Sequence, residues 1–97
     1  MPYRLLFTST ASRALAELDA PSSVSRLRKV QRALGRLQVD PRYPSLNSHK
    51  YQSIHGPGDE DIWESYVENH APSAWRIFWH YGPDVETITI VSITPHP

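Results

Sequence analysis

The chain has no cysteine among its 97 residues. That excludes disulfide scaffolds, thiolate metal sites and cysteine nucleophiles. It has no apolar run of membrane-spanning length and no charged-then-apolar leader, so a soluble cytoplasmic protein without a membrane partner is the expectation. It has no internal repeat, and its five histidines match no zinc-ligand spacing, so neither a metal nor another cofactor is expected. Basic residues are scarce in the second half: after Lys50, Arg76 is the only lysine or arginine.

What the chain does have is an ordinary globular composition, 39% hydrophobic and 21% charged. A chain of this length makes one domain, spanning residues 1–97, with room for two packed layers. The formal charge is zero but unevenly placed. Residues 1–50 hold nine Lys/Arg against three Asp/Glu, and residues 51–97 hold one against seven. Such asymmetry points to a basic face for nucleic acid or an acidic partner, or to a solvated basic helix.

Tyr3 to Thr8 reads as a short strand, with Ser9 or Thr10 as the cap of a first helix carrying Ala11, Ala14, Leu15 and Leu18. Ser22 or Ser23 should cap a longer helix. Its apolar stripe is Val24, Leu27, Val30, Leu34 and Leu37, and Arg28, Lys29, Arg32 and Arg36 lie opposite. Asp40-Pro41 ends it, because a residue before proline avoids the helical region. Arg42 to Asn47 reads as a loop. Strands are predicted at His49–Ile54, Ile62–Glu68, Ala74–Tyr81 and Thr87–Ile93, with short connections that imply antiparallel pairing. The predicted fold is α+β: a helical hairpin on one face of an antiparallel sheet, with the first strand returning beside a later one.

Side chains alternate across a strand. Trp75, Ile77, Trp79 and Tyr81 should face the helices together with Trp63, Ser65 and Val67. Arg76, Phe78 and His80 should then share the uncovered face with Glu64, Tyr66 and Glu68. A guanidinium within Trp75-Arg76-Ile77-Phe78-Trp79 must be paired or reachable by solvent. It serves either a ligand or a cross-strand pair with Glu64 or Glu68.

With these elements in order, the chain resembles the RelE/ParE superfamily of bacterial toxin–antitoxin pairs, and within it the RelE and YoeB branch. The resemblance rests on Trp75-Arg76-Ile77-Phe78-Trp79, which matches an aromatic-Arg-Leu-Val-Tyr strand. It rests also on His96 beside the terminus, on Trp63 in the preceding strand and on Leu46 ahead of the sheet. The family pattern also differs here. Pro97 replaces a terminal tyrosine, Tyr43-Pro44-Ser45 stands where a glutamate precedes the leucine, and Glu64, Tyr66 and Glu68 occupy a strand that carries lysines in RelE.

The resemblance implies a toxin that cleaves mRNA in the ribosome and is neutralised by an antitoxin. It implies that Arg76 binds the scissile phosphate and that His96 takes part in proton transfer. Attack by a ribose 2′-hydroxyl needs a base, a cation on the phosphate and an acid for the leaving oxygen. Arg76 suits the phosphate and His96 the proton. Glu64, Glu68 or His49 is available as base, and Tyr66 or Phe78 for stacking on a base. Arg28, Lys29, Arg32, Arg36 and Lys50 are the candidate contacts to RNA and ribosome. The alternatives are a ParE-like protein that binds a protein target such as DNA gyrase without catalysis, and a domain that keeps the fold and only its partner binding.

Overall fold

In the computed structural model, β1 (Arg4–Phe7) leads into α1 (Ser9–Glu17) and then α2 (Val24–Val39). Four strands follow: β2 (His49–His55), β3 (Asp61–Tyr66), β4 (Trp75–Tyr81) and β5 (Thr87–Pro95). The structure describes residues 2–56, 58–68 and 73–95, and for Ser53 and Ile54 the backbone only. The strands form one sheet in the order β1-β5-β4-β3-β2. β2 to β5 pair antiparallel, whereas β1 lies parallel to β5. The sheet is therefore mixed rather than wholly antiparallel. A strand followed by a helical hairpin re-enters at the far edge pointing the same way as β5.

Element ends depart from the sequence expectation by a residue or two, and the departures have causes. Thr8, not Ser9 or Thr10, caps α1: its hydroxyl accepts from the Ala11 amide at 3.1 Å and donates to the Val91 carbonyl at 2.7 Å. A 3-10 turn over Pro21–Ser23 precedes α2, and neither serine is a side-chain cap; Ser23 at the N-cap position makes no capping bond. Within the predicted loop, Pro44–Leu46 forms a second 3-10 turn that ends at Asn47, whose φ is 46°. Asparagine tolerates that left-handed conformation better than most residues.

The core lies between the helices and one sheet face. Ala11, Leu18, Val30, Ala33, Leu34 and Leu37 meet Ile77, Trp79, Ile88, Ile90 and Ile93, with Leu46 closing one side. Strict alternation would place Ile88, Ile90 and Ser92 together and turn Ile93 away. A bulge resolves this: Phe78 pairs with Ser92 and Trp79 with Ile90, so Val91 is the extra residue and Ile93 returns to the core. Trp63 stacks on Trp79 at 5.7 Å on the same side.

A chain of polar contacts pins the 41–48 segment to the sheet. Trp79 Nε1 donates to Ser65 Oγ at 2.7 Å, Ser65 lies 2.7 Å from Ser48 Oγ, and Ser48 donates to the Pro41 carbonyl at 2.7 Å. Because Ser48 spends its one proton on Pro41, Ser65 donates to Ser48. Every member of the chain thus has its partner.

The second sheet face is not open, contrary to the expectation from helix placement. Glu64, Arg76, Phe78, His80 and Ile62 are all buried, between 3% and 9% exposed. Among the described residues no helix covers them; large side chains on neighbouring strands cover one another. Tyr51 meets Phe78 edge-on at 5.2 Å, His49 meets Tyr66 at 5.9 Å, and the Tyr66 ring lies over Arg76.

Candidate active site

The residues of interest are aligned by strand register. His49 on β2 stands opposite Glu64 on β3, and Tyr66 on β3 stands opposite Arg76 on β4. All four side chains therefore share one face, as alternation requires. The His49 Nε2 and the Glu64 Oε1 are 2.8 Å apart, and the His49 Nδ1 lies 2.8 Å from the Asn47 carbonyl. The other carboxylate oxygen of Glu64 lies 3.9 Å from the Nε of Arg76. That is an ion pair but too long for a hydrogen bond.

Arg76 is 4% exposed, so it is not a cation displayed on a concave surface. Its Nη1 donates to the Trp75 carbonyl at 3.2 Å. Its Nε is buried and, among the described residues, has no hydrogen-bond partner. The Tyr66 ring covers the guanidinium, with Cζ 4.0 Å from the ring centroid. The structure shows the cross-strand pairing of Arg76 with Glu64 that the sequence offered as one reading. Arg76 faces that glutamate, yet it keeps one donor unused beneath a single aromatic ring. Such an unused buried donor is costly and calls for an explanation.

That ring opens onto a cleft of about 660 Å³. Lys29, Arg32 and Arg36 of α2 form one wall, Pro44, Ser45 and Asn47 another, and Tyr66, Val67 and Glu68 the third. The predicted basic helix face and the predicted catalytic strand thus meet in one groove. Arg36 donates to Ser45 Oγ at 2.8 Å and lies over the Tyr43 ring at 5.0 Å. Lys29 reaches Glu68 at 3.8 Å, and Arg26 reaches it at 3.5 Å. Among the described residues, Arg32 has no ion-pair partner, and it is exposed.

Two expected site residues, Lys50 and Arg28, lie away from the cleft, and a third, Glu68, lines it but away from Arg76. Glu68 does not share the surface of Arg76. β3 ends at Tyr66, and Glu68 turns toward α2, where two cations hold it. Lys50 faces the helix side with Trp63, its register partner, and pairs with Asp61 at 3.2 Å. Arg28 is exposed on α2 but is not among the residues that line the cleft. His96 lies outside the described residues. Asn47 was not a sequence candidate. Only its position in the turn, two residues before His49, gives it a role, and nothing in the sequence marks that.

Comparison with known proteins gives the architecture a name. Neither a scan against protein-family models nor a search of curated proteins finds a match. Solved structures do match over the whole chain. The archaeal RelE of a RelE–RelB complex from Pyrococcus horikoshii OT3 superposes with a TM-score of 0.68 at 19% identity, covering 98% of this chain and 96% of that one. A YoeB/ParE toxin from Agrobacterium tumefaciens gives 0.69 at 9% identity, covering 97% and 99%. The E. coli RelBE toxin–antitoxin complex gives 0.65 at 14% identity, covering 98% of each chain. The chain has the RelE-like fold, as a two-layer α+β domain. Identities this low establish the fold and leave activity to the site.

Proposed function

We propose that this protein is the toxin of a type II toxin–antitoxin pair, an endoribonuclease that cuts mRNA in the ribosome within the cytoplasm and is held inactive by an antitoxin. The observation that carries this reading is the meeting of an α2 cation wall with Tyr66 in one groove, with Arg76 buried directly beneath the Tyr66 ring. Lys29, Arg32 and Arg36 would hold the RNA backbone. Arg76 would hold the scissile phosphate once the Tyr66 ring swings off it, and its unused Nε donor would then find an oxygen. Fold neighbours solved with RelB and with DinJ supply the analogy for an antitoxin partner.

The test is induced expression of wild type and Arg76→Ala, with growth and message integrity followed together. Growth arrest with cut messages for wild type, and neither for Arg76→Ala, is the expected result. Equal effects of the two chains would refute a role for Arg76. A second reading rests on the burial of Arg76 beside Glu64. In it the face is structural, and the chain acts by gripping a protein target such as DNA gyrase. Capture of gyrase with messages left whole would favour it.

A further inference from the structure

The residues that line the cleft include the cations Lys29, Arg32 and Arg36 and the Tyr66 phenol but no imidazole, and Arg76 lies beneath the Tyr66 ring. Among the described residues, the imidazole of His49 stands beside two of the lining residues, Asn47 and Tyr66. His49 is 44% exposed in its side chain, yet its ring is fixed on three sides. Glu64 holds Nε2, the Asn47 carbonyl holds Nδ1, and the Tyr66 ring meets it edge-on at an interplanar angle of 89°. Asn47 and Tyr66 both line the cleft, so the His49 ring touches two of its lining residues. Its carboxylate partner is 4% exposed in its side chain, behind the ring and away from water.

The hydrogen bonding of that ring is directional. A backbone carbonyl only accepts, and so does an ionised carboxylate. Both contacts can be hydrogen bonds together only if each ring nitrogen carries a proton. A buried carboxylate behind an exposed imidazole also fixes the ring's orientation.

We infer that His49, positioned by Glu64, is the general acid of this site; the inference rests on the ribonuclease reading above. In the step, the ribose 2′ oxygen bonds to phosphorus and the bond from phosphorus to the 5′ oxygen breaks. The electron pair stays on the 5′ oxygen, which takes the Nδ1 proton of His49 in place of the Asn47 carbonyl. The 2′-hydroxyl proton passes to solvent water. The products are a 2′,3′-cyclic phosphate and a free 5′-hydroxyl. His49 is left neutral, still donating from Nε2 to Glu64, and regains its proton from solvent. Glu64 is a positioning residue, since it touches the imidazole and not the RNA.

The test uses the purified chain on ribosomes programmed with two messages, one natural and one with sulfur replacing the scissile 5′ oxygen. A thiolate leaves without being protonated, so the sulfur message needs no acid. His49→Ala is expected to slow the natural message by about 10²–10⁴-fold while cutting the sulfur message within about threefold of wild type. Glu64→Gln should lose less and show the same rescue. Where His49→Ala fails to fold by circular dichroism, His49→Gln carries the test, because it keeps amide donors but cannot transfer a proton. Undiminished cutting of the natural message by these variants overturns the assignment, as does an equal loss on both messages. A wild type that leaves both messages whole overturns the proposed function itself, and the role of His49 falls with it.

Discussion

At the scale of single residues, the polar chain through Ser65 shows how tightly the site is tied to the core. Trp79 is fully buried, and its indole proton has Ser65 as acceptor. Ser65→Ala leaves that donor and the Ser48 oxygen short of partners. It should cost about 1–3 kcal/mol, the usual penalty for an unpaired buried group. Chemical denaturation would show it as a lower midpoint with an unchanged slope. Asp84 supplies a pH-dependent counterpart. Its Oδ1 accepts from the Thr87 hydroxyl at 2.8 Å and the Glu86 amide at 2.9 Å, and these bonds hold its carboxyl below the ordinary 3.8. A depressed folded value means that this stabilisation is complete above the unfolded value. It is lost as pH falls through the folded one. Asp84→Asn should therefore flatten the acid limb of a stability-versus-pH curve below about pH 4. Tyr81 shifts the other way: burial raises its phenol, with Tyr3 beside it adding to the effect.

At the scale of elements, α2 has one weak point. Gly35 lies in its exposed side, and a Cβ built there meets nothing within 4 Å. Gly35→Ala should stabilise the fold by about 0.5–1 kcal/mol through the lost freedom of the unfolded chain. That would raise the melting temperature by a few degrees. α1 has the opposite sensitivity. Thr8 joins its first turn to the β5 bulge through both ends of one hydroxyl. Thr8→Ala should cost about 1–2 kcal/mol, more than an isolated cap at the low end of the range. Hydrogen exchange would report the loss first at the α1 amides. The same bulge sets which β5 residues reach the core: Ile90-Val91-Ser92-Ile93 breaks alternation, and the extra residue at Val91 restores Ile93 to the core.

At the scale of the whole molecule, the charge asymmetry becomes spatial. Cations from α2 line the cleft, while the acidic Asp59-Glu60-Asp61 run leads from the turn into the first residue of β3. RNA binding to the cleft should fall with salt, and Arg32→Ala should lower the slope of log affinity against log salt by about 0.7, one lost single-strand phosphate contact. Fluorescence anisotropy with an RNA oligonucleotide across a salt series measures it. Lys50→Ala should leave that slope unchanged, because Lys50 lies across the sheet with Trp63 and Asp61.

The sequence by itself determined the order of elements, the helical hairpin and the inward face of β4. Those follow from local periodicity and from proline, which act over a few residues. It also placed Arg76, Tyr66 and Glu64 on one face, because alternation carries across a strand once the register is right. Burial of that face was decided only in three dimensions, since it depends on which side chains from β2 lie over β4. Tyr51 over Phe78 and Tyr66 over Arg76 are contacts between strands, with no local trace. The same holds for His49. In the sequence it is one histidine among five. Only the register of β2 on β3, and an asparagine turn two residues earlier, set it between a buried carboxylate and the Asn47 carbonyl.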